Sequence, residues 1–454
     1  FPDLNECTIA IIGLGYVGLP LAIEFSKNKN SLISGNNLSR KIIGFDTNEE
    51  RLQELRRGID KTNEIDNEEL LNVKFHDLTS EIISLSKADV FIVSVPTPIN
   101  NLKEPNLNPL KNACLTVGKA LKIRKSNSHK NKKNVLPIII FESTVFPGTT
   151  EDICIPIVEK ESGLFNNKKE NKNYFAYGYS PERINPGDKK HSLVNIKKIT
   201  SGDNTQSSYW IKNLYGSIIK AGIYEAKSIK IAEAAKIIEN TQRDINIALV
   251  NEFAIIFKLM NIDTLDVINA ASSKWNFLPF KPGLVGGHCI GVDPYYLTYK
   301  AKLLGYYPEI VLAGRKINDN MGKWIAEQII LEMSRRTIII EKAEVLILGM
   351  TFKENCSDIR NTKVIDIVKN FYKYKTKLTI VDPLVDCKEV KKIYGIEASN
   401  LIPKGVKYST VICSVAHKDF LKLDKKDWDS IITEDGFFFD LKGFLPRELD
   451  VIRP

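Results

Sequence analysis

The chain has 454 residues, of which 43% are hydrophobic and 26% are charged, and its formal net charge is +9. This length exceeds what one hydrophobic core usually serves, so we expect two or three domains. The composition is that of a globular protein, and no apolar run approaches the roughly 20 residues that cross a bilayer. The first residues lack the basic region of a signal peptide, so we predict a cytoplasmic protein without a membrane partner.

The cysteines and lysines further limit the class of protein. The seven cysteines are scattered without a CxxC pair. An odd number of such cysteines argues against a disulfide framework or a structural zinc site and favours reduced thiols. The lysines concentrate at 122–134 and 166–173, where no aromatic residues are available to stack on bases. We therefore expect solvated loops there and no nucleic-acid partner.

The first predicted element is a strand followed by a tight turn and a helix. The apolar run TIAII is typical of a strand buried on both faces, and residues 13–18, GLGYVG, match GxGxxG. In that motif Gly13 permits the turn, Gly15 lets the backbone approach a pyrophosphate, and Gly18 allows the helix to pack against the strand. A packing turn without a cofactor is the alternative interpretation.

The second predicted strand, KIIGFD, ends in Asp46. An acidic side chain at this point binds the ribose hydroxyls of NAD and repels the 2′-phosphate of NADP. The separation from Gly18 exceeds the usual spacing of about 20 residues, which we interpret as a loop insertion. We therefore predict NAD as the cofactor.

Two further apolar strands end in loops that contain proline, ADVFIVSVPTP and VLPIIIFESTVFPGTTE. In an open parallel sheet the ligand lies beyond the carboxyl ends of the strands, where Ser94, Thr97, Glu142, Ser143 and Thr144 are found. Each of these side chains is either a ligand or a helix cap. The residues predicted to bind the cofactor are Gly13, Gly15, Tyr16, Val17, Gly18, Asp46, Arg51, Thr97 and Thr144.

The middle of the chain contains a loop and then a long helical pattern. The motif YGYSPERINPGD runs from a strand end into a loop that holds Glu182 and Arg183. Residues 228–261 have no glycine or proline and predict a helix long enough to bridge domains and to form a dimer interface. Lys236 and Asn240 project from one face of it. They form either a polar surface stripe or a cation and an amide directed at a developing oxyanion.

The segment GGHCIGVDPYY begins at Gly286. A metal site needs three or four ligands, but His288 and Cys289 are adjacent and no other cluster in the sequence completes a set, so we expect no metal. A helix is predicted to start here with Asp293 in its first turn, and a cysteine at a helix N-terminus is stabilised as the thiolate. A small core residue is the alternative role of Cys289.

An NAD site combined with an activated cysteine suggests oxidation of an alcohol to a carboxylic acid. A thiolate captures the intermediate aldehyde as a thiohemiacetal, which is oxidised to a thioester and then hydrolysed. Such an enzyme needs a thiolate, an oxyanion donor and a carboxylate. The sequence offers one set of these groups: Cys289, Lys236 with Asn240, and Glu182 with Asp293.

The last part of the chain predicts another doubly wound unit. A strand–loop–helix pattern at 343–371 is followed by strands at 377–386, 408–417 and 436–444, without a second GxGxxG. A second NAD is therefore not expected. The loop holds Lys353 and Arg360, two cations that suit a diphosphate or form structural salt bridges.

These patterns predict an α/β fold class. Two Rossmann-like doubly wound parallel-sheet domains are joined by a long central helix and a helical dimerisation domain. The predicted domains are an NAD-binding domain at 1–205, a central helical domain at 206–325 and a second Rossmann-like domain at 326–454.

The whole chain resembles the UDP-glucose/GDP-mannose dehydrogenase family. The resemblance rests on GLGYVGLP, ESTVFPGTT, SPERINPG, AEAAKIIEN, GGHCIGVDP and GMTFKENCSDIRNTK, which occur in the family's order. It implies a cytosolic NAD-dependent enzyme that oxidises the C6 hydroxymethyl of a nucleotide sugar to a carboxylate in two steps. It also implies that Cys289 is the nucleophile and that Lys236 and Asn240 steady the oxygen of the thiohemiacetal.

Further roles follow from the same resemblance. Asp293 matches the carboxylate near the catalytic water, with Thr144 as its hydrogen-bonding partner, and Glu182 matches the carboxylate that serves thioester hydrolysis. Lys353 matches a substrate-contacting lysine, and FKPGLVGG matches the loop that closes over the nucleotide sugar. The residues predicted to bind substrate are Glu182, Arg183, Lys236, Asn240, Phe280, Lys281, Gly286, Lys353 and Arg360.

The sequence departs from the UDP-glucose enzymes at two positions. His288 and Val292 stand where those enzymes usually have serine and lysine. GHCIGVDPYY and FKENCSDIRN are more similar to the UDP-N-acetylhexosamine branch, which feeds surface polysaccharide synthesis. We favour UDP-N-acetylglucosamine, then its galacto epimer, then UDP-glucose, in a homodimer or higher oligomer. A single-hydride hydroxyacid dehydrogenase, which would use Lys236 and Asn240 without the cysteine, is the other enzyme considered.

Overall fold

The computed structural model describes residues 1–27, 29–62, 64–73, 75–128, 135–166, 174–183, 192–287 and 289–454. The chain divides into two compact units. The first comprises residues 1–238 and 295–300, and the second comprises 239–294 and 301–454.

The first unit is built on an eight-stranded sheet. Its strands are β1 (Thr8–Ile12), β2 (Lys41–Phe45), β3 (Asp77–Thr79), β4 (Val90–Val93), β5 (Ile138–Phe141), β6 (Ala176–Tyr179), β7 (Lys198–Gly202) and β8 (Ile223–Glu225). They lie in the order β3-β2-β1-β4-β5-β6-β7-β8, and β6 pairs with β7 antiparallel while the other neighbours are parallel. The first six strands have the arrangement of a dinucleotide-binding domain, as predicted.

Helices cover this sheet. They are α1 (Gly18–Ser26), α2 (Glu49–Arg56), α3 (Asn67–Asn72), α4 (Ile82–Leu85), α5 (Asn108–Ser128), α6 (Ile155–Ser162) and α7 (Thr205–Gly216), with a π-helical turn at Thr150–Cys154 and a 3-10 turn at Leu193–Asn195. Every residue of β4 and β5 is buried, as continuous apolar runs predict. The lysine-rich run predicted as a loop from residue 122 instead continues α5 to Ser128. The rest of that run, and most of the second one, lie outside the described residues.

The long helix predicted at 228–261 is α8, which runs from Ile229 to Leu259. The boundary between the two units falls within it, between Ile238 and Glu239. The sheet of the first unit extends to β8, beyond residue 205. The three predicted domain boundaries and the oligomeric state stay predictions.

The second unit contains a helical part and a second sheet. Its helices are α9 (Thr264–Ala271), α10 (Asp293–Leu303, with its middle in the first unit), α11 (Glu309–Arg335), α12 (Val364–Tyr372), α13 (Cys387–Tyr394) and α14 (Lys425–Ile431), with 3-10 turns at Ile340–Lys342 and Phe420–Lys422. The strands are β9 (Glu344–Leu348), β10 (Lys377–Val381), β11 (Tyr408–Cys413), β12 (Ile432–Asp440) and β13 (Val451–Ile452). They lie parallel in the order β10-β9-β11-β12-β13, which confirms the second doubly wound sheet.

Candidate active site

The glycine-rich turn after β1 has the geometry that the motif requires. Gly13 has φ +94°, a left-handed conformation, and its N–H donates to the Phe45 carbonyl at 2.9 Å. A methyl group on Gly18 would overlap the Gly13 carbonyl and lie 2.5 Å from the Ser94 hydroxyl, so helix α1 packs this closely only with glycine. A methyl group on Gly15 would meet no atom within 4 Å. This open side of the turn is where a pyrophosphate fits.

Asp46 follows β2 and organises the same turn. Its Oδ2 accepts the Leu14 N–H at 2.9 Å and its Oδ1 accepts the Asn48 N–H at 2.9 Å, which leaves acceptor positions for a ribose diol. Arg51 donates to the Leu14 carbonyl at 3.0 Å and pairs with Asp60 at 2.8 Å. The acceptor positions of Asp46 fit the ribose of NAD. Arg51 holds the turn through its hydrogen bond to the Leu14 carbonyl. Tyr16 and Val17 complete the predicted set as half-buried residues in the turn that leads into α1.

The loops after β4 and β5 are tied together. The Thr97 hydroxyl donates to the Thr144 carbonyl at 2.6 Å, and the Ser143 hydroxyl donates to the Val95 carbonyl at 2.6 Å. The Tyr296 hydroxyl also donates to the Thr97 carbonyl. The structure therefore brings Thr97 and Thr144 together at the carboxyl edge of the sheet, as the two predicted strand ends require.

A buried cluster of charged groups lies beside these loops in the first unit. Lys198 Nζ is 3.0 Å from Glu142 Oε2 and 3.0 Å from Glu182 Oε2, and the Tyr215 hydroxyl donates to Glu142 Oε1. All four residues are buried. Burial raises the pKa of Glu142 to about 6, although Lys198 opposes this change. Burial by itself lowers the pKa of Lys198, but the attraction of Glu142 and Glu182 outweighs it and raises that pKa.

Sequence reasoning missed Lys198 and Tyr215. Neither residue stands in a motif, and the available signal was weak: a lysine at the first position of a strand, and a tyrosine within a helical pattern. Glu142 was considered only as a strand-end polar residue. Arg183, the other predicted substrate ligand of this loop, is half-buried, and its N–H donates to Glu182 Oε1 at 2.6 Å.

Glu233 is a second buried carboxylate that was not predicted. It lies on α8, one turn before Lys236, and accepts the N–H groups of Gly148 at 2.6 Å and Thr150 at 2.9 Å. It thereby ties α8 to the loop that follows β5. Burial raises its pKa from 4.5 to about 7.

Glu233 should make folding stability depend on pH. Because its pKa is higher in the folded chain than in the unfolded chain, the stabilisation is present below pH 4.5 and is lost as the pH rises to about 7. The loss is roughly 3 kcal/mol, at about 1.36 kcal/mol per pKa unit. We expect wild type to lose about 2.5 kcal/mol of this stabilisation relative to Glu233→Gln between pH 5 and pH 8, measured by denaturant unfolding. Glu252→Gln, at an exposed position of the same helix, is the control, and an identical pH dependence in both variants would contradict the expectation.

Lys236 and Asn240 lie one turn apart on α8, and the two residues are 5% and 2% exposed. This burial rules out the interpretation as a surface stripe. Within the second unit, the Asn240 amide donates to Asp293 Oδ2 at 2.6 Å, and Asp293 is also buried. Two of the predicted catalytic residues are therefore in direct contact.

Cys289 is half-buried and lies in the turn that precedes α10. Its carbonyl accepts the N–H of Asp293 at 2.8 Å and of Val292 at 3.0 Å. The prediction that the helix starts at the cysteine was wrong, because α10 begins at Asp293. The backbone nevertheless holds Cys289 one turn before the carboxylate. His288 lies outside the described residues.

The loop that leads to Cys289 is anchored by residues far away in sequence. The Asn361 amide donates to the Gly287 carbonyl at 2.9 Å, and the Asn361 carbonyl would lie 2.8 Å from a methyl group on Gly286. The Asn251 amide, on α8, donates to the Gly283 carbonyl at 3.0 Å and accepts the Gly283 N–H at 2.8 Å. The Asn361 contacts place the loop before Cys289 against the loop that holds Lys353 and Arg360, and the Asn251 contacts hold it on α8.

A buried polar network supports α8 and α11 behind this loop. The Arg315 guanidinium donates to Asp244 at 2.6 Å, and the Asn318 amide donates to the same carboxylate at 2.8 Å. Asn251 in turn donates to Asn318 at 2.8 Å. Sequence reasoning missed this network, since an arginine and two asparagines in helical patterns carry no motif.

The remaining predicted substrate residues lie in the second unit. The Lys353 carbonyl accepts the Thr351 hydroxyl at 3.1 Å, and its ammonium lies 5.8 Å from the centre of the Phe352 ring. Arg360 forms a bidentate pair with Asp358, at 3.0 and 2.7 Å. The salt-bridge alternative thus describes its observed contact, and a role in binding diphosphate stays a prediction. Phe280 is half-buried and Lys281 is exposed.

The turn after β9 repeats the geometry of the first turn but not its chemistry. Gly349 has φ +93°, and Asp382 accepts the Met350 N–H at 2.7 Å, as Asp46 does for Leu14. Asp382 is completely buried, however, and lies 3.0 Å from His417 Nε2. This carboxylate is held inside the protein and is not presented to a ribose.

No helix among the described residues is both long and apolar enough to cross a membrane. Within the same residues, no three His, Cys, Asp or Glu side chains are grouped so as to hold a metal ion.

Three models of the UDP-glucose/GDP-mannose dehydrogenase family match the chain, one after another. The NAD binding domain matches residues 7–219, the central domain matches 230–320 and the UDP binding domain matches 346–447. The match to the UDP binding domain indicates a UDP-sugar substrate.

Relatives and solved structures agree with these models. The chain is 51% identical to UDP-N-acetyl-D-glucosamine 6-dehydrogenase of Salmonella typhi, over 99% of both chains. It is 47% identical to the enzyme of the same name from Pseudomonas aeruginosa, over 99% of this chain and 100% of the relative. The solved UDP-D-ManNAc dehydrogenase of Pyrococcus horikoshii is 26% identical, covers 98% of each chain and superposes with a TM-score of 0.82. The chain therefore belongs to the UDP-glucose/GDP-mannose dehydrogenase family and is an NAD-dependent nucleotide-sugar dehydrogenase.

Proposed function

We propose that the protein oxidises C6 of UDP-N-acetylglucosamine to the carboxylate, by way of a thiohemiacetal and a thioester on Cys289. The contact between Asn240 and Asp293, one turn after Cys289, carries the mechanistic part of this proposal. The choice of sugar is supported by two relatives of that name at 51% and 47% identity over nearly the whole chain. The product is an acidic nucleotide sugar, a precursor suited to surface polysaccharide.

Gly15 and Asp46 would hold NAD at the turn after β1, and bound NAD would supply the acceptor for the two electrons of each oxidation. Cys289 Sγ adds to the carbonyl carbon of the intermediate aldehyde, and the carbonyl oxygen takes up a proton to give the thiohemiacetal. Lys236 and Asn240 donate hydrogen bonds to that oxygen while it is negative. Because C6 stays bonded to sulfur, the aldehyde is not released.

Hydrolysis of the thioester completes the reaction. A water oxygen bonds to C6, the C–S bond breaks, and the sulfur of Cys289 leaves as the thiolate. Glu182 accepts a proton of the attacking water. Asp293 orients water near C6, and its contact with Asn240 fixes the direction of its carboxylate.

Counting NADH against substrate tests this proposal. We expect two NADH per UDP-sugar consumed, with UDP-N-acetylglucosamine the best substrate in a panel that includes UDP-N-acetylgalactosamine and UDP-glucose. A ratio of one would favour a single-hydride dehydrogenase and remove the cysteine mechanism. A preference for UDP-N-acetylgalactosamine or for UDP-glucose would replace the proposed substrate with the second or the third candidate.

A further inference from the structure

We propose that Lys198 and Glu142 are positioning residues for Glu182 during hydrolysis of the thioester. The inference rests on the proposed function and deepens it, since it names the groups that make one of its steps possible. In this proposal neither Lys198 nor Glu142 contacts the substrate or the cofactor. They act through the orientation and charge of the Glu182 carboxylate.

Lys198 is placed to hold two carboxylates at once. Its ammonium lies 3.0 Å from an oxygen of Glu142 and 3.0 Å from an oxygen of Glu182. It also lies 3.2 Å from the Pro181 carbonyl and 3.4 Å from the Ser180 carbonyl, in the backbone just before Glu182. One side chain therefore fixes both the carboxylate of Glu182 and the loop that bears it.

Tyr215 also holds Lys198 and Glu142 in place. The Tyr215 hydroxyl donates to the second oxygen of Glu142, and the Tyr215 ring centre lies 4.8 Å from the Lys198 ammonium. This cation–π contact adds to the attraction of the two carboxylates. Glu142, Tyr215 and Lys198 thus come from three elements, the end of β5, α7 and β7, and form a rigid support.

Both oxygens of Glu182 are oriented by this arrangement. One accepts the Arg183 N–H at 2.6 Å and the other lies 3.0 Å from Lys198. Each oxygen of an ionised carboxylate has two acceptor positions, and the contacts with described residues occupy one position on each oxygen of Glu182. We assign a second position to the attacking water molecule, and Lys198 sets its direction.

The charges of the cluster suit a group that gains and returns a proton. With Glu142 and Glu182 ionised and Lys198 protonated, the formal charge is −1, and a proton on Glu182 brings it to zero. Two carboxylates buried without a cation would instead retain a proton, because like charges and desolvation both disfavour ionisation. Lys198 therefore supplies the positive charge that balances the two buried carboxylates before water attacks. Glu142 keeps Lys198 protonated after Glu182 has taken the proton.

Replacement of Lys198 by methionine in the full-length enzyme tests the inference. Methionine keeps most of the side-chain length and removes the charge. With UDP-N-acetylglucosamine and NAD we expect a rapid release of about two NADH per enzyme, then turnover slowed at least about tenfold. Intact-mass spectrometry should find the acyl adduct on Cys289, and hydroxylamine, which cleaves thioesters, should restore turnover. The low-pH limb of the rate should also move to higher pH.

Two further variants guard against misfolding. Lys198→Arg keeps the charge and should accumulate less adduct than Lys198→Met. Glu142→Gln should accumulate adduct, because Lys198 then has a single carboxylate partner. A general fold defect would lower NAD binding and both oxidations, without adduct and without rescue by hydroxylamine.

The outcomes separate this inference from the proposed function. If wild type releases two NADH per sugar but Lys198→Met and Glu142→Gln show no adduct and an unchanged pH profile, the positioning role is wrong and the proposed function stands. If wild type itself releases one NADH per sugar, the proposed function fails first.

Discussion

Cys289→Ala should abolish formation of the sugar acid while NAD binding stays at its wild-type affinity. Without the thiolate no thioester forms, so the second oxidation has no substrate. In another enzyme class, removal of the nucleophile lowers kcat by roughly 10⁶-fold. We therefore expect turnover to the acid to fall by at least about 10⁴-fold. The acid is measured by chromatography, and NAD affinity by calorimetry.

Cys387→Ala is the matched control for this variant. Cys387 is the other half-buried thiol, and the remaining five cysteines are buried. Iodoacetamide should inactivate wild type and Cys387→Ala alike, with Cys289 as the modified residue. If Cys289→Ala retained acid formation, or if alkylation of Cys387 caused the inactivation, the covalent mechanism would have to be abandoned.

Lys236→Ala should raise the activation barrier by roughly 2.7–4 kcal/mol, which is the effect of removing one donor from an oxyanion hole. The corresponding loss in kcat is about 10²–10³-fold. Lys236 is 5% exposed, so it is a buried residue and not part of a solvated surface. Stopped-flow measurement of NADH release should place the loss in the chemical steps and not in NAD binding.

Lys230→Ala is the control for Lys236. Lys230 lies two turns earlier on α8, its side chain is 53% exposed, and it lies 3.8 Å from Asp152. A surface pair of this kind contributes little to stability, so this variant should keep the wild-type rate. Equal rates for Lys236→Ala and wild type would show that Lys236 is a structural residue. Lys236→Met, which keeps the volume, separates loss of the ammonium from a packing defect.

Local sequence patterns predicted the strands and helices, because each pattern depends on which residues of a single segment are buried. TIAII followed by GLGYVG predicts a buried strand, a left-handed turn and a close-packed helix, and the structure has each of these at Gly13 and Gly18. The absence of glycine and proline between residues 228 and 261 predicted α8 nearly to its ends. The start of α10 was misplaced because a turn before Asp293 has the same composition as the first turn of a helix.

The sequence patterns did not predict side-chain contacts between segments that are far apart in the chain. Lys198 meets Glu142 across 56 residues, and Arg315 meets Asp244 across 71. A lysine in a strand or an arginine in a helix is usually exposed, and its periodicity does not name the carboxylate that neutralises it. The contact of Asn361 with the loop before Cys289 was likewise not readable, although both segments were recognised separately.

The sequence by itself determined two doubly wound sheets and an NAD site on the first, and it supplied the candidate residues for the proposed chemistry. It could do so because glycine turns, buried apolar strands and a cysteine placed before a helix are local properties of the chain. Only the tertiary structure decided which carboxylates share a cation and which are held by backbone N–H groups. Burial raises the pKa of Glu142 and of Glu233, and Lys198 pairs with both Glu142 and Glu182. The burial and the pairing arise only when distant segments pack together.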